Sequence, residues 1–425
     1  MSTKANAGPA RSGPLASGPL EGMKVLELGS TVAGPFCGRL LADFGADVVK
    51  VEPPEGDVVR TMGKVHEGKS LYAASIFRNK RLVAVDMRRE DGLNLIRRMA
   101  ANCDLVVENF RPGTMEKWGL GYEQLSAVNP GLVLVRISGF GQSGPYRGRP
   151  GYGVIGEAVS GMRYITGDPD RPPARVSVSL TDYITGLYAA FGATMALLAR
   201  TRTGRGQIVD AALYESAFSF MEPHVPAYDK TGHIAQRTGS RLQGSVPNNL
   251  YSTGDDNIIH ITAMADTVFG RLCEAMQRPD LASDPRFAKA GQRVANDEAL
   301  DEIIGAWTSS LTLTEIEARL HAASVPATRI YTMADIFRDP QYHARAMLPS
   351  VPSDDFGEIV VAGITPKLSQ SPGAIRHAGR KVGQDSRAVL EGWLNLAPTE
   401  IDRLVATGIV VEAAQAAARQ THKTA

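Results

Sequence analysis

Cysteine is scarce in this chain of 425 residues: Cys37, Cys103 and Cys273 are its only three. Their number and scatter exclude a disulfide framework and a Cys-based zinc cluster, and fit a reducing cytoplasm. An excess of either charge is also missing, since 46 Lys and Arg face 45 Asp and Glu for a formal net charge of +1. No overall field is left to grip nucleic acid or a membrane surface, so neither is expected as a partner, and any basic patch has to be local. Long apolar runs are absent too. The nearest approach, Tyr183 to Ala199, falls short of the roughly 20 residues of a membrane span and contains Tyr, Thr and Gly, so it reads as a buried helix. The opening "MSTKANAGPARSGPLASGPL" lacks the apolar core of a secretory signal and reads as a disordered tail over residues 1–19. No internal repeat is found.

What the chain does have is length and alternation. A chain of this size exceeds one typical core, so two domains, or one with a large insertion, are expected. In "MKVLELGSTVAGPFCGRLLADFGADVVKVEPP" a strand from about Lys24 to Leu28 leads through a Gly-containing loop to a helix from Pro35 to about Phe44 and a second strand, Asp47 to Glu52. The strands "RLVAVDM", "DLVVENF" and "LVLVRIS" follow, separated by the amphipathic "EDGLNLIRRMAAN" and a turn at "RPG". Val-rich strands alternating with helices predict an α/β fold, a Rossmann-like large domain on a parallel sheet. That domain is placed at residues 20–220. A smaller domain, with an apparent hairpin about Asp255 and Asp256, is placed at 221–335, and residues 336–425 are expected to return to the large domain as C-terminal helices.

Three strings resemble nucleotide-binding motifs. "GKVHEGKS", Gly63 to Ser70, has P-loop spacing, but the preceding "DVVRTM" is short and polar, Glu67 adds a negative charge, and "LYAASIFRNKR" is a doubtful helix. "GFGQSG", Gly139 to Gly144, follows a convincing strand, yet "PYRGRPGYG" offers no helix to face a pyrophosphate. The first βαβ unit lacks the dinucleotide glycine spacing in "GSTVAG", although a crevice at its strand ends still suits an adenosine-bearing ligand.

Asp182 is the single charge in "SLTDYITGLYAAFGATMALL". Two readings stand: a helix N-cap, which a carboxylate suits, or a nucleophile. Gly186, Ala190 and Thr194 at i, i+4 and i+8 predict a small-residue stripe along which another backbone packs closely.

Six blocks in order, "AGPFCGRLLADFGADVVKVEPPEGD", "RNKRLVAVDMR", "VVENFRPGTMEKWGLGYEQL", "RISGFGQSGPYRGRPGY", "DYITGLYAAFGATMALLAR" and "GRGQIVDAALYESAF", resemble the class III coenzyme A transferase family, which includes formyl-CoA and carnitine CoA-transferases and α-methylacyl-CoA racemases. The resemblance implies an enzyme with Asp182 as catalytic nucleophile, no permanently bound cofactor, acyl-CoA and a small carboxylate as substrates, and an interlocked homodimer in the cytoplasm. It implies CoA contacts at Val32 and Ala33, at Val85, Asp86, Met87 and Arg88, at Asn109, Phe110 and Arg111, at Lys117, and at Pro150, Gly151, Tyr152 and Gly153. Arg88, Arg111 and Lys117 are the phosphate partners it points to, each of which also reads as an ordinary solvated cation. The loop "RTGSRLQGS", with Gly239 and Gly244, is assigned to substrate contact. No metal is implied.

The departures carry information. Tyr152 stands where the racemases place a His, which removes half of a two-base proton exchange. Gly153 stands where transferases commonly carry Asp or Glu, and Glu157 where Gln is frequent. An intermolecular CoA-transferase is the leading expectation, with an intramolecular CoA-transferase or acyl-CoA isomerase, and a CoA-binding protein without turnover, as the alternatives.

Overall fold

The computed structural model describes residues 18–416, so nearly all of the expected N-terminal tail lies outside the described residues. The chain divides into two compact units. The first takes the described residues up to Met162, Val176–Glu222 and those from His343 on; the second takes Arg163–Arg175 and Pro223–Tyr342.

The first unit is built on a seven-stranded sheet. Its strands are β1 (Lys24–Glu27), β2 (Asp47–Glu52), β3 (Arg81–Val85), β4 (Leu105–Glu108), β5 (Val133–Ser138), β6 (Ile208–Ala212) and β7 (Val410–Val411). The spatial order is β7-β3-β2-β1-β4-β5-β6, all neighbours parallel except β7, which runs antiparallel to β3 on the edge. The expected α/β class with a large parallel sheet is therefore present. Strand order reverses between β1 and β4, and in such sheets the crevice outside the carboxyl ends at that reversal is where ligands bind.

Strand residues alternate between two cores. Leu26, Val49, Val83, Val106 and Leu134 pack under α2 (Glu90–Ala101) and the C-terminal helices Ser386–Leu394 and Pro398–Ala406. Val25, Val48, Leu105, Val107 and Val135 pack under α1 (Ala33–Asp43) and the long α4 (Leu180–Thr203). Helices on both faces explain why the strands read as nearly continuous apolar runs.

The α4 helix stops at Gly204, whose φ of 68° is left-handed and whose N–H donates to the Arg200 carbonyl. Its packed stripe differs from the expected one. Gly186, Ala189, Ala190, Ala193, Ala196 and Leu197 are buried, whereas Thr194 is exposed. Steps of four overshoot a 3.6-residue turn, so i+8 has rotated off the face that i and i+3 share. Gly186 is where the packing is closest: a Cβ there would lie 2.7 Å from the Ala33 carbonyl oxygen and 2.9 Å from a Phe36 ring carbon. The missing side chain brings the start of α4 against the start of α1.

Among the buried side chains of this sheet are charges. Glu27 of β1 and Lys50 of β2 are fully buried, as is Lys80 just before β3. Lys80 Nζ lies 2.6 Å from Glu27 Oε2 and Lys50 Nζ 3.5 Å from Oε1, so one carboxylate is ion-paired with two ammonium groups. Both ammonium groups find a carbonyl as well, Lys50 that of Gly29 at 2.6 Å and Lys80 that of Pro35 at 2.7 Å. The two lysines titrate in opposite directions. Burial pulls Lys80 down to about 8, with Glu27 as its one close carboxylate among the described residues and Lys50 and Arg39 repelling it. Burial acts on Lys50 too, but Asp57, Glu27 and Glu52 together hold it above the usual lysine value.

The second unit has its own core, in which Phe269, Leu272, Ile304, Ile316 and Leu320 pack with a three-stranded antiparallel sheet. The expected hairpin is present as Asn248–Ser252 paired with Ile258–Thr262, and Ala327–Arg329 adds on the other side. His260 is held in that sheet with its Nε2 2.9 Å from Asn248 Oδ1, a structural placement. Among the described residues, no helix is long and apolar enough to cross a membrane, and no group of three His, Cys, Asp or Glu side chains is placed to hold a metal ion.

The P-loop string does not form a P-loop. Val58–Thr61 is a short 3₁₀ turn, and Val65–His66 pairs with Lys69–Ser70 as a two-residue hairpin. The doubtful helix is real over Leu71–Ile76, capped by the Ser70 hydroxyl, which accepts the Ala73 N–H at 3.1 Å. With an exposed hairpin in place of a buried strand, nothing aims successive N–H groups at a phosphate.

Candidate active site

At the reversal point, the loops after β1, β4 and β5 and the first turn of α4 enclose a cavity of about 240 Å³. Ser30 and Thr31 line it from the first loop with Ala33 at the start of α1, Asn109 to Pro112 from the second loop, and Gly139 with Arg149 to Tyr152 from the third, next to Ile137 and Ser138 at the end of β5. Asp182 and Leu213 close it.

The first loop is tied to the second. Asn109 Oδ1 accepts the Ser30 N–H at 2.8 Å, and Asn109 Nδ2 donates to the Ser30 carbonyl at 2.8 Å. That reciprocal pair fixes the separation of the two loop tips. Below Asn109, Glu108 is buried, accepts the Phe110 N–H at 2.8 Å and takes Arg136 Nε at 2.8 Å, while Arg136 also reaches Glu116 at 2.6 Å. Burial pushes the Glu108 carboxyl up to about 7 despite that guanidinium.

The third loop is drawn in by glycine. A Cβ on Gly151 would lie 2.6 Å from the Gly139 Cα, and one on Gly139 would lie 2.8 Å from the Gly151 Cα. Only a pair of glycines lets "GYG" cross the end of β5 so closely. The string "GFGQSG" is thus a tight glycine loop at the site, and the next helix, α3 (Gly153–Val159), begins only after this crossing.

Asp182 is not the N-cap. That position is Ser179, and Asp182 is the third residue of α4, in its first turn, facing the cavity. Across from it, Gly153 opens α3, and a Cβ there would overlap Asp182 Oδ2 and lie 3.0 Å from Cγ. The carboxylate occupies the space a side chain at 153 would fill. An acid at that position, common in the resembling transferases, has no room here without moving Asp182. Gly153→Ala is therefore expected to rotate the carboxylate away and lower turnover by about 100-fold, since displacements of about 1 Å cost that much. The check is kcat for the folded variant; a value within a factor of about three of wild type rejects this reading.

Of the residues expected to touch ligand, the cavity gathers Ala33, Asn109, Phe110, Arg111, Pro150, Gly151, Tyr152 and Asp182. Val32 is buried as the residue preceding α1, with no side-chain cap at that helix end. Val85 ends β3, two strands away, and Asp86, Met87 and Arg88 follow it; none of the four lines the cavity, and Arg88 is held by Asp86 at 2.7 Å and by Glu55 at 3.6 Å. Lys117 lies outside the lining, on the short helix Thr114–Lys117, exposed like Arg111. Neither has an ion-pair partner among the described residues. Gly239 and Gly244 are in the second unit. Gly239 donates its N–H to the Gly167 carbonyl at 3.0 Å, and Gly244 lines a cavity of about 540 Å³ with Arg237, Arg241, Asp297 and Asp301. Sequence reasoning missed Ser30, Thr31, Ser138 and Arg149, which carry no motif of their own.

Comparison with known proteins follows the same lines. A family model described as CoA-transferase family III matches residues 20–386. A succinyl-CoA–D-citramalate CoA-transferase from Chloroflexus aurantiacus is 45% identical over 393 residues, covering 92% of this chain and 98% of that protein. A succinyl-CoA:mesaconate CoA-transferase from Haloarcula hispanica is 38% identical, covering 83% and 92%. The crystal structure of a CAIB/BAIF family protein from Brucella suis superposes with a TM-score of 0.78 at 36% identity, covering 88% of this chain and 98% of that one.

Proposed function

Because this chain belongs to CoA-transferase family III and is an enzyme of that class, we propose that it moves coenzyme A from a succinyl-CoA-type thioester to a small dicarboxylic acid through an aspartyl-CoA thioester on Asp182. The observation that carries this reading is the carboxylate of Asp182 facing a cavity at the carboxyl end of the sheet, beside an uncapped helix start and the Gly139–Gly151 crossing. The relatives' named donors and acceptors support the substrate class.

The electron balance needs no cofactor. The Asp182 carboxylate attacks the thioester carbonyl and expels CoA thiolate, leaving a mixed anhydride. Thiolate then attacks the aspartyl carbonyl, which releases the donor acid and leaves the enzyme thioester. The acceptor carboxylate attacks that same carbonyl, expelling thiolate and forming a second anhydride. Thiolate attack on the acceptor's acyl carbon gives the new thioester and restores Asp182. Every addition creates an oxyanion, for which backbone N–H groups at the start of α1 and in the glycine loop are the available donors.

Trapping tests the intermediate. With succinyl-CoA present and no acceptor, borohydride or hydroxylamine should modify Asp182 alone, as seen by peptide mass. Absence of donor-dependent modification in a protein that turns over rejects the aspartyl route.

Arg111 and Lys117 are assigned to the phosphates of CoA, on their exposure and lack of ion-pair partners among the described residues. Arg111→Ala and Lys117→Ala should each raise the Kd for CoA about tenfold at low salt, and the difference should shrink as salt screens it. Unchanged Kd in both removes the assignment. We further propose a homodimer. The row Leu187, Phe191, Met195 and Leu198 on α4 is exposed, and a second copy of the chain suits it. Sedimentation showing only monomer at micromolar concentration contradicts this.

A further inference from the structure

Thr31 has a φ of 68°, a left-handed backbone that β-branched residues avoid. It lines the cavity, and the residues after it start α1. A strained residue persists only where its surroundings hold it, so the question is what holds Thr31. The answer lies outside the cavity. Asp57, buried in the turn after β2, accepts the Thr31 N–H on Oδ1 at 3.3 Å and the Val59 N–H on the same oxygen at 3.0 Å. Its Oδ2 lies 2.9 Å from Lys50 Nζ, which donates to the carbonyl of Gly29 at 2.6 Å. One buried ion pair thus grips the loop at both ends, the carbonyl of residue 29 and the N–H of residue 31, while Asn109 holds residue 30 between them.

We propose that Lys50 and Asp57 are positioning residues that hold the Gly29–Thr31 loop in its ligand-binding conformation before coenzyme A arrives, neither touching the ligand. The inference rests on the cavity being the CoA site. A loop held in advance spares the ordering cost that a floppy one incurs on binding, so loss of the clamp reads out as weaker CoA affinity rather than slower chemistry. Glycine adopts positive φ without strain, so Thr31→Gly removes the need for the clamp.

The test is a double-mutant cycle of Asp57→Asn and Thr31→Gly, with CoA affinity measured by calorimetry and KM for succinyl-CoA compared with kcat. With Thr31 in place, Asp57→Asn should weaken CoA binding by at least about tenfold and leave kcat within about threefold. On top of Thr31→Gly the same change should cost less than about threefold. Equal losses in both backgrounds, or none in either, overturn the proposal. Should Asp57→Asn fail to fold, hydrogen exchange on the wild-type protein decides. Without ligand, the Thr31 amide should exchange at least about 100-fold more slowly than an unprotected amide; exchange at the unprotected rate until CoA is added overturns the clamp. Failure of wild-type protein to bind CoA overturns the assignment of the cavity as well, whereas wild-type binding with an uncoupled cycle overturns the clamp alone.

Discussion

Asp182→Asn is expected to abolish CoA transfer, with kcat lowered by about four orders of magnitude or more, while the protein remains folded and binds acyl-CoA with near-native affinity. The amide is isosteric with the carboxylate, so the packing of the first turn of α4 against α1 is kept. The helix start is also indifferent to the change, because Ser179 occupies the N-cap and Asp182 sits in the first turn. What an anion adds there through the helix dipole is about 0.3–1 kcal/mol, too little to unfold a domain. An amide cannot form the anhydride, however, so the reaction loses its first covalent step. Asp182→Glu separates charge from position. The carboxylate remains but is displaced by about one C–C bond, and a misplacement of about 1 Å is worth on the order of 100-fold. Its extra methylene also enters the space that Gly153 leaves beside Asp182. The ordering wild type, then Glu, then Asn is the expected result. A folded Asn variant with transfer within about tenfold of wild type removes the nucleophile and the mechanism with it.

Much of this site was readable before the structure because the resemblance to class III coenzyme A transferases names its residues, and the repeating pattern of strands and loops puts them at strand ends. Val-rich strands followed by short loops place "GSTVAG" and "VVENFRPG" at the carboxyl edge, and Ala33, Asn109 and Arg111 are found together there. What the pattern could not supply is strand order. The antiparallel β7 is two residues long and joins the sheet from the far end of the chain. Arg163–Arg175, which belongs to the second unit, is marked in sequence only as the Pro-, Gly- and charge-rich turn segment "RYITGDPDRPPAR", which shows a break in the chain and not the unit it belongs to.

The capping role of Asp182 failed for a local reason. Ser179 and Asp182 are both good cap residues three positions apart, and propensity alone does not choose between them. The clamp was hidden differently. In "VLELG" and "VVKVE" the charged residues alternate with apolar ones, which normally marks a solvent-facing edge. Here Glu27 and Lys50 share a covered face, and their charges are satisfied by each other, by Asp57 and by backbone carbonyls. A charge in a strand covered on both sides is the signal that could have exposed them, and it becomes legible only once the helices on both faces are known.

Glu27→Gln is expected to be the most damaging change to stability among these buried groups. Two ammonium groups, those of Lys50 and Lys80, face Glu27 from neighbouring chain segments, and all three side chains are fully buried. Removing the carboxylate charge leaves Lys50 with Asp57 but strips Lys80 of its close anion. Unpairing a buried ion in this way costs about 3–5 kcal/mol. The pH dependence gives the prediction a second arm. Lys80 in the folded protein is already below the unfolded lysine value, at about 8, and without Glu27 it falls further. A base whose folded value is depressed binds fewer protons folded than unfolded, so stability rises with pH across the interval between the two values. The deficit of Glu27→Gln should accordingly be largest near neutral pH and shrink as Lys80 loses its proton in the wild type as well, above about 8. Urea unfolding of both proteins from about pH 7 to about pH 9.5 reads this directly. The paired change Glu27→Met with Lys80→Met separates charge from packing, because replacing both ions by unbranched apolar side chains of similar size restores most of what the single change loses. Gly38 narrows the choice of replacement, since a Cβ on it would overlap Glu27 Oε2, and a branched side chain at 27 crowds the same spot. A loss below about 1 kcal/mol for Glu27→Gln near neutral pH, typical of an exposed pair, means that the buried charges are not coupled as their distances imply.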